Sequence, residues 1–109
     1  MTLRTIAETP VFQKCVKDIW SEDELMAFRV WLAGNPLAGD VVPGSGGVRK
    51  VRWSRSGMGK RGGARVIYFN EWQGRIWLLM VYTKAKFDNL PTEFLVQLRQ
   101  EVEDGQQEA

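Results

Sequence analysis

The run Val48-Arg49-Lys50-Val51-Arg52-Trp53 alternates charge with apolar bulk. Alternate residues of a strand share a face, so Val51 and Trp53 can enter a core while Lys50 and Arg52 point away from it. At a strand rise of about 3.3 Å per residue the two cations would root roughly 7 Å apart. Arg65 opens a second apolar run, Arg65-Val66-Ile67-Tyr68-Phe69, and Tyr82, Lys84 and Lys86 close a third. If these runs pair as neighbouring strands, their basic side chains converge on one face. Arginine offers forked donors to phosphate oxygens and lysine a movable point charge, so such a cluster suits a phosphodiester.

The overall charge of +2 conceals the cluster. Residues 1–47 carry four Lys/Arg and six Asp/Glu, a balance of −2. Residues 48–86 carry ten Lys/Arg against Glu71 alone, a balance of +9, and residues 87–109 carry one base and six acids, a balance of −5. Concentrated positive potential draws polyanions, and nucleic acid is the commonest of them. The plainer alternative is a solvated basic face, although interspersed signs serve solubility better.

Other chemistries are narrowed by what the chain lacks. There is no histidine and only one cysteine, Cys15, so neither an internal disulfide nor a Cys/His zinc set can form within the chain. Cys15 falls on an apolar stripe with Phe12, Val16 and Ile19, which reads as packing, and no histidine stands ready to activate its thiol. No signal peptide or membrane-spanning run is evident, which makes the cytoplasm the expected compartment.

The elements that must position the cations are legible in outline. With 109 residues, one domain is expected over 1–109. Residues 1–8 form a weak first strand. Residues 10–34 form a helical pair: Pro10 opens the first helix, whose stripe runs to Ile19. Ser21 and Glu24 make a capping box for the second, whose inner face is Leu25, Phe28 and Leu32. Gly34 and Pro36 stop it. Residues 48–82 form an antiparallel meander whose last strand is almost continuously apolar, as a strand buried on both faces should be. Leu95, Leu98 and Val102 mark a closing helix over 92–104 that Gly105 ends. The fold class is therefore α+β, a small antiparallel sheet of about four strands packed against an N-terminal helical pair, with a C-terminal helix. Two glycine-rich turns interrupt the pattern. Gly44-Ser45-Gly46-Gly47 leads into the first strand of the meander. Residues 57–63 carry Lys60 and Arg61 among four glycines, which let backbone amides approach a phosphate. The second turn is not a Walker P-loop, because no Ser or Thr follows Lys60.

Three segments together, Pro43-Gly44-Ser45-Gly46-Gly47-Val48-Arg49-Lys50-Val51-Arg52-Trp53, Gly57-Met58-Gly59-Lys60-Arg61-Gly62-Gly63-Ala64-Arg65-Val66-Ile67-Tyr68 and Leu78-Leu79-Met80-Val81-Tyr82-Thr83-Lys84, resemble the RelE/HigB superfamily of toxin–antitoxin toxins, and the HigB-like branch most closely. The resemblance implies a metal-independent mRNA endoribonuclease, with no cofactor, that cuts in the ribosomal A site. It implies as partners mRNA, the ribosome with its RNA, and a cognate antitoxin of helix-turn-helix type. Carried over by position, Lys50, Arg52, Arg65 and Lys84 are the expected catalytic set. Arg49, Lys60, Arg61, Tyr82 and Lys86 are the expected RNA contacts, with Tyr82 either stacking a base or filling the core.

The residues suit that chemistry. RNA brings its own nucleophile, the 2′-OH, so no Ser or Cys is required. A lysine can take the hydroxyl proton where neighbouring cations favour its neutral form, and Lys50 is the best placed. Arg52 and Arg65 would hold the charge that develops on phosphorus, and Lys84 would protonate the leaving oxygen. The competing expectation is a non-enzymatic interaction protein: a gyrase-inhibitor-like toxin, or a degenerate toxin that only binds its antitoxin.

Overall fold

The computed structural model describes residues 4–53, 63–71, 74–83 and 90–108, with side chains up to residue 105. It has the α+β architecture expected. In chain order the elements are β1 (Thr5–Glu8), α1 (Pro10–Val16), α2 (Glu22–Gly34), β2 (Asp40–Val41), β3 (Arg49–Trp53), β4 (Ala64–Asn70), β5 (Arg75–Thr83) and α3 (Thr92–Glu108). The strands form one five-stranded sheet in the order β1-β5-β4-β3-β2. The meander β3-β4-β5 is antiparallel, whereas β1 runs parallel to β5 from Thr5 opposite Arg75 to Glu8 opposite Leu78. The two-residue strand β2 was not legible in the sequence; only its pairing with Arg49 and Lys50 defines it.

Helix α1 is shorter than its apolar stripe. It stops at Val16, and the amides of both Ile19 and Trp20 donate to Val16 O at 3.0 Å. This tight turn swings Trp20 into the core, with its ring 5.1 Å from that of Phe28, a contact a continued helix would not make. The Ser21 capping box is present as expected. Ser21 Oγ accepts from Glu24 N at 3.2 Å, and Glu24 Oε1 accepts from Ser21 N at 3.1 Å. At its other end α2 closes on Asn35, whose amide donates to Leu32 O.

The sheet is covered on both faces. Phe12, Val16, Trp20, Phe28 and Leu32 from α1 and α2 pack on Val51, Val66, Tyr68, Ile76, Leu78 and Val81. Leu95, Leu98 and Val102 from α3 pack on Val48, Ile67, Phe69, Leu79, Met80 and Tyr82. A β-bulge in β5 reconciles the two faces. Ile67 pairs with Met80 but Tyr68 pairs with Leu78, which leaves Leu79 as the extra residue. Leu79 and Met80 therefore both turn toward α3. The carbonyl of Leu79, released from regular pairing, accepts from Thr9 Oγ1 at 3.0 Å, and that same oxygen caps α1 by accepting from Phe12 N at 3.1 Å.

Helix α3 runs through Gly105 to Glu108 rather than ending at Asp104. Gly105 does not adopt the left-handed conformation by which glycine ends helices, so nothing interrupts the backbone ladder there.

Candidate nucleic-acid interface

The register of the meander decides which cations meet. Arg52 stands opposite Arg65, and Arg65 stands opposite Tyr82, so the three form one row across β3, β4 and β5. Lys50, two residues back along β3, shares that face and lies opposite Ile67. It is the α3 face, since Val48, Ile67 and Tyr82 all belong to the core under that helix. α3 covers the apolar part of this face, over Val48, Ile67, Phe69 and Leu79. At the other end of the strands the surface opens: Arg52 is exposed, Arg65 half-buried and Tyr82 only 2 % exposed. The result is a cationic shelf with a tyrosine at its base.

Burial pushes the Tyr82 hydroxyl above the ordinary tyrosine range, and the Arg65 guanidinium pulls it partly back. Arg52, Arg65 and Lys50 have no ion-pair partner among the described residues. The nearest carboxylate by register is Asp40 on β2, opposite Lys50. Nothing in the local sequence marked Asp40 as part of this surface, because only the β2–β3 pairing brings it there.

Arg49 lies apart from the shelf. Its neighbours on β3 alternate, so it faces α2, where its Nη1 donates to Gly39 O at 2.6 Å. It fastens the chain before β2 to β3. Tyr68 works beside it: its hydroxyl accepts from Gly39 N at 2.9 Å and donates to Pro36 O at 3.0 Å. Burial raises the Tyr68 hydroxyl's pKa above the usual value, against lowering by the Gly39 amide and by Arg49, with Asp40 adding to the rise. Lys60, Arg61, Lys84 and Lys86 lie outside the described residues.

The glycine-rich turn at 44–47 serves as an ordered entry to β3. Gly44, Gly46 and Gly47 have positive φ, and Ser45, 2 % exposed, ties the turn by donating to Val42 O at 2.6 Å and accepting from Val48 N at 3.0 Å. Arg99 of α3 holds it from outside. Its Nη1 donates to Gly46 O, its guanidinium sits 5.2 Å from the Phe69 ring, and its Nε pairs with Glu103 at 3.0 Å. Arg99 stood out in the sequence only as the lone base of an acidic segment. Its anchoring role depends on a contact fifty-three residues away.

The described residues hold no cluster of three or more His, Cys, Asp or Glu side chains placed to bind a metal ion. No helix of the described residues is long and apolar enough to cross a membrane.

A mostly antiparallel five-stranded sheet with a helical pair on one face and a terminal helix on the other matches the RelE-like fold. Among solved structures, the free toxin RelE of E. coli, in mutant form, superposes with a TM-score of 0.62 at 14% identity, over 90% of this chain and 98% of that one. The RelBE2 toxin–antitoxin complex of Mycobacterium tuberculosis superposes with a TM-score of 0.55 at 16% identity, over 75% of this chain and 99% of the matched chain. No family model matches the sequence. The likeness is one of fold.

Proposed function

We propose that this chain is a toxin of the RelE/HigB superfamily, of its HigB-like branch, that cleaves mRNA in the ribosomal A site without a metal and is neutralised by a cognate antitoxin. The observation that carries the reading is the opposition of Arg52 and Arg65 across the β3–β4 ladder. Like charges facing each other across a ladder lower the stability of their own sheet. With no carboxylate paired to either among the described residues, the pair is better explained by an anion that comes from outside the chain. A phosphodiester meets that need, and forked guanidinium donors suit its oxygens.

In this reading the shelf carries the reaction. The 2′-OH of the nucleotide before the cut attacks the adjacent phosphorus, and Lys50 takes its proton. Arg52 and Arg65 hold the negative charge that grows on the non-bridging oxygens, a contribution typically worth a few kcal/mol per donor. The bond from phosphorus to the 5′ oxygen breaks, and that oxygen is protonated, a role assigned to Lys84. The products are a 2′,3′-cyclic phosphate, open to later hydrolysis, and a 5′-hydroxyl.

The partner reading draws on one structural neighbour, which is a toxin–antitoxin complex. A helix-turn-helix antitoxin and cytoplasmic action belong to the same proposal. The test is to add the purified chain to a translating extract and map RNA ends. New 5′ ends within coding regions, absent when translation is blocked and absent with an Arg52→Ala/Arg65→Ala variant, are expected. Intact RNA beside inhibited gyrase supercoiling would overturn the reading in favour of an interaction protein.

A further inference from the structure

The row that starts at Arg52 does not stop at Tyr82. Tyr82 also lines a cleft of about 310 Å³ between the end of β5 and helix α1, together with Lys14, Cys15, Asp18, Met80 and Thr83. That volume lies within the range of small-ligand sites, about 300–1,000 Å³. The cleft exists because β1 is short. Its last paired residue, Glu8, lies opposite Leu78, and Thr9 then takes the carbonyls of Leu78 and Leu79. Beyond that point no strand pairs with the outer edge of β5 among the described residues. The cleft opens along this edge.

Two opposite charges stand on its α1 wall. Lys14 and Asp18, four apart on α1 and the turn after it, are exposed, and neither has an ion-pair partner among the described residues. They offer a cationic donor and a pure acceptor side by side, with the Thr83 hydroxyl at the cleft's β5 wall. A carboxylate repels phosphate, so this mixed pair is ill suited to a backbone phosphate. It suits a base edge that presents an acceptor next to N–H donors. Guanine has such an edge, O6 beside two N–H donors at N1 and N2, enough for both oxygens of a carboxylate; uracil sets only the single N3 hydrogen beside its O4, so the carboxylate gains one bond there rather than two.

Resting on the nuclease reading above, we propose that the α1–β5 cleft is a nucleobase subsite. It seats the base next to the scissile phosphate, with Asp18 accepting from its N–H groups and Lys14 donating to its carbonyl. The shelf grips the phosphate and the cleft reads the neighbouring base. Lys14 and Asp18 are thus specificity residues, outside the set that touches the reacting atoms.

Cys15, the chain's only cysteine, lines the same cleft and supplies a reporter. The rate of maleimide labelling of Cys15 in the full chain is measured with and without short single-stranded RNAs that differ only by G or U beside the cleavage position. RNA binding is followed separately by fluorescence anisotropy. The expected result is severalfold slower labelling with the G-containing RNA. Asp18→Asn should shrink the G-over-U preference about tenfold, as loss of a bidentate base contact does. Lys14→Ala should shrink it less, and cleavage of mRNA in a translating extract should persist in both variants. Bound RNA that leaves Cys15 labelling unchanged would sink the subsite while leaving the nuclease reading intact, as would an unaltered base preference in both variants. A wild-type chain that neither binds these RNAs nor cuts mRNA in a translating extract would remove the nuclease reading itself, and the subsite with it.

Discussion

Arg65 stands directly opposite Tyr82 in the β4–β5 ladder, and its guanidinium offsets part of the burial that raises the Tyr82 hydroxyl. The pair joins the exposed part of the sheet to its interior. The ring fills the core under α3, and the charge beside it faces the shelf.

Arg65→Ala is therefore expected to abolish RNA cleavage and growth inhibition while the far-UV circular dichroism spectrum stays that of the parent. The side chain is half-buried and stands at the exposed end of the sheet, opposite the exposed Arg52. Loss of the folded spectrum would mark Arg65 as structural instead. The same variant should raise the Tyr82 hydroxyl further, because the charge that lowers it has gone.

Tyr68 and Tyr82 are the chain's only tyrosines, and burial raises both. In the unfolded chain each titrates near pH 10. The folded state thus holds its phenolic protons above the pH at which the unfolded chain releases them. Stability from this source is complete below about pH 10 and is lost as the pH rises toward the folded values. Absorbance at 295 nm should show no phenolate formation at pH 10, then a steep rise that coincides with unfolding. A normal titration of either ring at pH 10 would contradict this.

Tyr68→Phe removes a hydroxyl that bonds Gly39 N and Pro36 O. Pro36 O keeps the bond it accepts from Asn70 Nδ2, but Gly39 N is left without its acceptor, and an unsatisfied buried donor costs about 1–3 kcal/mol. Urea unfolding should show a loss of that size, larger than for a typical surface substitution.

Gly39→Ala should be as damaging from the other side of the same contact. An added Cβ would lie 2.9 Å from the Tyr68 ring and hydroxyl and 3.0 Å from the carbonyl oxygen of Lys50. Overpacking of this kind costs about 1–3 kcal/mol. Since the crowded neighbours include the backbone of Lys50, RNA cleavage should fall more than stability alone explains, measured at a temperature where the variant remains folded.

Thr9→Val should cost about 1–2 kcal/mol in thermal unfolding, in the range for a lost helix cap. Its hydroxyl caps α1 and also takes the carbonyl of the bulge residue Leu79. Thr9→Ser should keep most of that stability; an equal loss in both would point to the methyl group's packing as the cause.

Local rules were enough for the capping box at Ser21, the apolar stripes of α2 and α3, the doubly buried run of β5 and the alternation that separates Lys50 and Arg52 from Val51. Each depends on residues within a turn or two of one another. The early stop of α1 at Val16 was not legible, because it depends on Trp20 reaching Phe28. The passage of α3 through Gly105 was hidden as well, since glycine ends a helix only where the backbone turns left-handed.

The concentration of charge in residues 48–86 and the alternation on β3 are properties of the chain itself, fixed by residue order and strand periodicity. The partners of each cation were settled only by pairing between strands distant in sequence. Register set Arg52 against Arg65 and Tyr82, and β2 brought Asp40 to Lys50. The same pairing turned Arg49 to the opposite face as a fastening for Gly39. A shift of one residue between strands would have exchanged every one of those roles, because side chains alternate faces and nothing in a single strand's sequence states which neighbour it will meet.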